Sequence, residues 1–483
     1  MFPLRVRSSF SLMRGTSSPR TLCRIAKGLG YPGLALTDRD NLYGLWEFLD
    51  GCRDYGLRPV VGAEVSEPGS ERIACCLVKD ETGFRNLCLL LSRRQEDSTF
   101  RLARSLAEYG EGLLVLSRDE KLLQECLDSG VEVAADLGSQ PSALGRNLRA
   151  WAARRDVPAV ATPDSDMAGP EQRELLCLLR AIRDGETIST ARSALQSCGA
   201  NWLADAHEYR QNFAIWPEVV AQTETLSECC RFTGPQYGIV MPPWNGGGGE
   251  GARAVLRRVA YAGARRRYGT DLGEAVVERL EYELRIICDM GFASYFLVVR
   301  DIVHPRDASG HRHHRRICGR GSGAASLVAY CLQITNVCPI RYNLYFERFL
   351  HPERSDPPDI DIDFAWDERD NVLQQVLSSY SGHAAMVCNH VFFQPRMAIR
   401  ETAKTFGLPG AEISLLTKRI PWTLPRKSTA DLASHLAELP SLKDMELVEP
   451  WPEILRLAQQ LIGLPRYLSV HPGGVVITPR PIR

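Results

Sequence analysis

The stretch Pro357-Pro358-Asp359-Ile360-Asp361-Ile362-Asp363-Phe364 alternates polar and apolar residues at every second position from Asp359 onward. The two prolines discourage a helix, and a period of two places the aspartates on one face of a strand, with Ile360, Ile362 and Phe364 on the other. Same-face side chains along a strand stand about 6.5 to 7 Å apart. Aspartate is a poor strand former, and stacked like charges repel, so the pattern is costly unless cations occupy that face. A pair of Mg²⁺ ions bridged by carboxylates would suit it, the arrangement used for phosphoryl and nucleotidyl transfer. The competing reading is an acidic edge strand that meets only solvent.

Forty residues upstream runs Gly319-Arg320-Gly321-Ser322-Gly323-Ala324-Ala325-Ser326, leading into the apolar Leu327-Val328-Ala329-Tyr330. Closely spaced glycines let backbone N–H groups approach an anion, and a following helix is expected to point its positive end at the same place. Ser322 adds a hydroxyl and Arg320 a fixed charge. The Gly-Lys-Ser/Thr ending of a Walker A loop is missing, which disfavours an ordinary P-loop ATPase. A plain tight turn is the alternative. Nearby, His311, His313, His314 and Cys318 invite a zinc reading. Adjacent histidines among Arg312, Arg315 and Arg316 lack ligand spacing and sit in surroundings that repel a cation, which favours a basic loop or a solvated turn.

The rest of the chain bounds these readings. Its 483 residues exceed one hydrophobic core, so two or three domains are expected. Hydrophobic residues at 44% and charged residues at 24% are globular values and argue against disorder or a fibrous protein. Net charge is zero, so contact with nucleic acid requires local basic surface. The 15 cysteines form no paired framework and suit a reduced, cytoplasmic setting. No apolar run has the roughly 18 to 20 residues of a membrane span. Short apolar runs at Leu34–Leu36, Val60–Val61, Leu113–Leu116 and Val157–Val160 alternate with helical patterns, which indicates a parallel β/α arrangement that could close into a barrel. A turn-rich stretch over 235–250 marks the first boundary. Beyond it Arg253, Arg257, Arg258, Arg265, Arg266 and Arg267 line a helix that either meets a phosphate backbone or is balanced by Glu278 and Glu281 on the next one.

Several of these motifs occur in one order that resembles a known family. Met290-Gly291-Phe292-Ala293-Ser294-Tyr295-Phe296, the Gly319-Arg320-Gly321-Ser322 loop, Tyr345-Phe346-Glu347-Arg348-Phe349 and the acidic strand together resemble the palm of bacterial DNA polymerase III alpha subunits. The doubled proline and Gln394-Pro395-Arg396-Met397-Ala398-Ile399-Arg400-Glu401-Thr402 resemble the error-prone branch more than the replicative one. The resemblance implies an α/β multidomain protein: a PHP-type distorted β/α barrel over residues 1–235, then a nucleotidyltransferase-like palm over 236–398 and a helical thumb over 399–463. Residues 464–483 would begin a second palm segment. It implies DNA-directed DNA synthesis in replication or repair, with Asp361 and Asp363 as catalytic metal ligands, Asp359 beside them, and Mg²⁺ as cofactor. Gly319, Arg320, Gly321 and Ser322 would bind the deoxynucleoside triphosphate. Primer-template DNA is the implied partner, with Arg396, Arg400 and Lys404 at helical spacing for its phosphates.

Two departures from the family pattern bear on activity. His471-Pro472-Gly473-Gly474-Val475-Val476-Ile477 matches a family motif that precedes a third catalytic aspartate, and the sequence ends at Arg483 without it. A split polymerase whose other chain supplies the remaining palm and fingers, or a catalytically incomplete DNA- or partner-binding subunit, are therefore both expected readings. In the PHP-like region Pro3, Arg7, Arg39 and Asp166 stand where metal-binding histidines are expected, leaving Asp38 and Glu64. Two carboxylates without imidazoles make a poor trinuclear site, so that domain is read as structural rather than as a phosphoesterase.

Overall fold

The computed structural model describes residues 1–483 apart from 199–200, 237, 239, 243, 245–250, 306–312, 314, 354–357, 422–431, 444, 446 and 483. The chain forms two compact units, one of Met1–Pro235 with His390–Ser469, the other of Gln236–Asn389 with Val470–Ile482.

The first unit is built on β1 (Gly33–Arg39), β2 (Arg58–Ser66), β3 (Ile73–Val78), β4 (Leu113–Ser117), β5 (Glu132–Asp136) and β6 (Ala159–Val160), a six-stranded sheet in that order. β1 and β2 are parallel, as are β4, β5 and β6. The all-parallel expectation is corrected at β3, which runs antiparallel to both neighbours. Residues 67–72 are too few for a crossover, and Glu67 and Arg72 close a hairpin through a backbone hydrogen bond of 3.0 Å. The sheet curls until Pro3–Arg7 spans its two edges. Ala35 N–H donates to Pro3 O and Thr37 N–H to Val6 O on the β1 side, and Arg7 N–H donates to Ser165 O just beyond β6. Phe2 and Leu4 of this closing segment pack with Val60, Leu77, Leu114 and Val160 on one face, while Leu36, Val61, Val115 and Val133 on the other face meet the surrounding helices. The result is a distorted barrel.

Residues 390–469 join this unit through helices. The Arg173–Asp184 helix buries Leu175, Leu176, Leu178 and Leu179, more apolar surface than one neighbour covers. The Pro395–Thr405 and Trp451–Leu461 helices pack on it through Ile399, Ala403, Leu457 and Leu461. Arg192 fastens the contact, donating to Glu174 and to Glu453 at 2.6 Å.

In the second unit the Ala252–Tyr268, Glu274–Asp289 and Ala293–Val303 helices share a core with Leu327, Val328 and Phe346. Arg257 forms a two-pronged pair with Glu281, both contacts at 2.6 Å, so this part of the basic helix is balanced by its acidic neighbour. β7 (Ile317–Arg320) pairs antiparallel with β8 (Asp361–Phe364); β9 (Ala384–Phe392) pairs with β10 (Pro465–Ile477), and each of these two strands has residues in both units. No helix among the described residues is long and apolar enough to cross a membrane, and the 14 cysteines described are all free thiols.

Gly263 sets how closely two helices meet in this unit, since a Cβ there would lie 2.0 Å from the Cys331 carbonyl oxygen. Gly263→Ala is expected to destabilise the protein by about 1–3 kcal/mol, as overpacking does. Gly28→Ala, where a Cβ meets nothing within 4 Å, serves as the neutral control in urea unfolding.

Candidate functional site

The antiparallel ladder of β7 and β8 joins the glycine loop to the acidic strand. Arg320 lies opposite Asp361, and Gly319 opposite Ile362. Asp361 and Asp363 share one face of β8, while Ile360, Ile362 and Phe364 pack against the core. Asp359 lies just before the strand, exposed, so the regular part of the acidic stretch is shorter than its alternation suggested. The Asp361 and Asp363 side chains are 42% and 58% exposed, open to a hydrated cation. Both face Arg320, whose Nε donates to Asp363 Oδ1 at 3.1 Å and whose Nη1 lies 3.5 Å from Asp361 Oδ2.

The loop's glycines have separate reasons. Gly319 is buried, and a Cβ there would lie 2.5 Å from Ile334 O. Gly321 has φ +70°, and its Cβ would lie 2.9 Å from Asp361 Oδ2. Loop backbone and carboxylate therefore sit against each other. Ser322 is exposed at the start of the 3₁₀ turn Gly321–Ala325.

The expected help from a following helix is overturned. The helix after the loop is one short turn, Leu327–Cys331, and its amino-terminal N–H groups are already taken. Glu283, wholly buried on the Glu274–Asp289 helix, accepts from Leu327 N and Val328 N at 3.0 Å and from Ser326 Oγ at 2.9 Å. Burial raises the Glu283 carboxyl pKa against these bonds and Arg279. A carboxylate of the fold, not a ligand, fills that helix end. Any anion at the loop is left with Gly321–Gly323, Ser322 and Arg320.

Arg396, Arg400 and Lys404 lie in the other compact unit, on the Pro395–Thr405 helix. Arg396 and Arg400 line a groove of about 360 Å³ with Lys418 and Arg466, residues that linear spacing did not point to. Lys404 is not among the residues lining it and pairs with Glu401 at 3.0 Å. Of the residues that invited the disfavoured zinc reading, Cys318 is exposed on β7, His313 is exposed, and His311 and His314 lie outside the described residues.

The barrel holds a second charged cluster. Glu64, at the carboxyl end of β2 and fully buried, accepts from Arg5 Nε at 2.6 Å, from Arg39 Nε at 2.7 Å, and from Arg7 Nη1. Arg5 also donates to Asp136 at 2.6 Å, and Arg7 to Asp164 at 2.7 Å and Asp166 at 2.5 Å. Arg118 lies 2.9 Å from Asp164. Asp38 is satisfied by hydroxyls instead, accepting from Ser8 Oγ at 2.8 Å and Ser11 Oγ at 2.6 Å. Arg5, Arg118, Asp136 and Asp164 were missed in the sequence. The available signal was position, since the carboxyl ends of parallel strands are where β/α barrels gather polar residues.

Electrostatics follow from this packing. Burial alone would raise Glu64, but Arg5, Arg7 and Arg39 hold it well below the usual carboxylate range. Burial likewise opposes ionisation of Asp164, and Arg5, Arg7 and Arg118 win, bringing it to about 2. Asp136 is lowered against burial by Arg118 and Arg5. Asp38, with hydroxyls and no guanidinium partner, is raised by burial. A multinuclear metal site does not fit here: guanidinium groups already occupy the carboxylates, and no group of three His, Cys, Asp or Glu among the described residues is arranged to hold an ion.

The fold is a PHP-type barrel followed by a second unit that carries the β7–β8 ladder. A family model of the PHP domain matches residues 3–151, and a model of the bacterial DNA polymerase III alpha NTPase domain matches residues 254–483. Through residues 254–483 the chain is similar to the bacterial DNA polymerase III alpha family. It is 33% identical over 500 residues to an error-prone DNA polymerase of Pseudomonas paraeruginosa, covering 99% of this chain and 47% of that one. The corresponding enzyme of Pseudomonas fluorescens is 34% identical over 502 residues, 99% of this chain and 46% of that one. DNA polymerase III subunit alpha of Bacillus subtilis is 31% identical over 511 residues, 99% of this chain and 45% of that one. The chain thus spans about half the length of the curated relatives it matches.

The barrel cluster carries a stability prediction. Glu64→Gln leaves buried guanidinium charge without its partner and is expected to cost about 3–5 kcal/mol. The folded pKa values of Glu64, Asp136 and Asp164 are depressed, so their contribution is complete above the unfolded carboxylate pKa of about 4 and is lost as pH falls from there toward 2. Asp38, raised, contributes the opposite and weaker trend. Urea unfolding between pH 7 and pH 3 checks both, with a flatter pH dependence in Glu64→Gln. A chelator is expected to leave the wild-type curve unchanged.

Proposed function

We propose that this chain is part of a DNA-directed DNA polymerase that acts in replication or error-prone repair synthesis, with its nucleotidyl-transfer site at the β7–β8 ladder. One observation carries the reading: the ladder sets the Gly319–Ser322 loop, able to take phosphates, beside Asp361 and Asp363, able to take divalent metal. Paired exposed carboxylates on one strand are hard oxygen donors suited to Mg²⁺, and Asp359 stands next to them. When bound there, the metal would lower the pKa of a primer 3′-hydroxyl and neutralise charge on the leaving pyrophosphate.

The chain's own residues do the positioning. Backbone N–H groups of Gly321–Gly323 and the Ser322 hydroxyl hold triphosphate oxygens without help from a helix end, which Glu283 fills. Arg320 adds a charge that reaches both the loop and the aspartates. Primer-template DNA is the proposed partner of Arg396 and Arg400, with Lys404 held back by Glu401. Because the chain spans about half the length of the relatives it matches, the proposed activity draws on the rest of that length, on the same polypeptide or on another. The identity to error-prone polymerases favours the repair branch.

Primer extension with Mg²⁺ and four deoxynucleoside triphosphates tests this, with and without an added carboxy-terminal fragment. Extension by the wild type is expected with the fragment, and Asp361→Ala/Asp363→Ala is expected to lose it by at least about a thousandfold. Primer-template binding without extension under every condition would instead support a non-catalytic DNA-binding subunit.

A further inference from the structure

We propose that Arg320 is a built-in counter-ion of the acidic strand, which competes with divalent metal for Asp361 and Asp363 and is drawn off by an incoming triphosphate. The inference rests on the polymerase reading above and adds a coupling between nucleotide and metal.

Two carboxylates on one face of a strand repel at a separation of about 6.5 to 7 Å. Among the described residues, Arg320 is the one cation in ion-pair contact with either. Its position is fixed by register: Arg320 is the last residue of β7 and lies directly opposite Asp361, so its side chain leaves the ladder on the aspartate face. Nε reaches Asp363 at 3.1 Å and Nη1 approaches Asp361 at 3.5 Å, so one planar group spans both acids. A divalent ion held by both carboxylates needs the same oxygens. Arg320 and metal therefore exclude one another there.

Arg320 is also replaceable. Its side chain is 59% exposed, and an exposed ion pair is weak and screened by salt. The next residue, Gly321, turns with φ +70° and lies so close to Asp361 that its Cβ would be 2.9 Å from Oδ2. A triphosphate on Gly321–Gly323 would bring negative charge within the arc of the Arg320 side chain. The guanidinium then exchanges carboxylate partners for phosphate partners, which accept its two-pronged fork equally well and carry more negative charge. Moving it exposes the aspartates to metal just when the triphosphate brings its own demand for cations. By linkage, nucleotide tightens metal binding and metal tightens nucleotide binding by the same factor. Without nucleotide, the arginine stabilises the acidic face and weakens idle metal binding.

The test is Mn²⁺ titration of the full chain followed by electron paramagnetic resonance, with and without a non-hydrolysable deoxynucleoside triphosphate. Without nucleotide, Arg320→Gln is expected to bind Mn²⁺ about two- to fivefold more tightly than wild type, the change expected from removing an exposed competing charge. Arg320→Lys keeps a charge and is expected to stay near wild type. With nucleotide, wild type is expected to gain Mn²⁺ affinity by more than Arg320→Gln does. Equal or weaker Mn²⁺ binding by Arg320→Gln in the absence of nucleotide would overturn the proposal. Asp361→Asn/Asp363→Asn separates the two levels: if it retains wild-type Mn²⁺ binding, the metal assignment itself fails, whatever Arg320 does.

Discussion

Glu64 sits without solvent contact between Arg5, Arg7 and Arg39, and the barrel is organised around that meeting. Removing a carboxylate from water costs several kcal/mol unless cations and hydrogen bonds replace the lost hydration. The three arginines come from two places. Arg5 and Arg7 lie on the segment that closes the sheet between its edges, and Arg39 ends β1. The same ion cluster that satisfies Glu64 therefore pins the closing segment across Asp136, Asp164 and Asp166. Closure of the barrel and neutralisation of its buried charge are one event.

The second unit meets the same constraint with a different answer. Asp361 and Asp363 also crowd negative charge onto one face, yet they are exposed, and the guanidinium that faces them is exposed too. Water keeps the cost of separation low there. In the barrel the cations are buried with the carboxylates they neutralise; on β8 the cation is exposed, as exchange would require. That contrast separates a scaffold from a site. Glu283 belongs with the scaffold, since its carboxylate is consumed in holding the turn after the glycine loop.

What the sequence made legible follows the range of the interactions. The alternation through Asp361 and Asp363 and the glycine spacing at 319–323 are local, and both features stand in the structure as a strand and a tight loop with close backbone approaches. The strands at Leu34–Leu36 and Leu113–Leu116 were equally local apolar runs. β3 escaped notice although Ile73–Val78 is an unbroken apolar run, and its direction is set by the hairpin at 67–72. The Glu283 cap joins residues 44 positions apart, from a helix whose polar face gave no sign of it. The arginine cluster draws on positions from 5 to 166, and the absence of histidines told only what was lost, not that guanidinium groups had taken the carboxylates. The packing of 390–469 with the first unit rests on long-range apolar contact that no local pattern encodes.

Fixed cations in the barrel and exchangeable cations on β8 are the core of this account. Crystals of the chain soaked in Mn²⁺ and measured for anomalous scattering address it directly. The account predicts an anomalous peak at Asp361 and Asp363, with Arg320 turned away, and no peak among Glu64, Asp136 and Asp164. A peak inside the barrel cluster with an empty β8 face would contradict it.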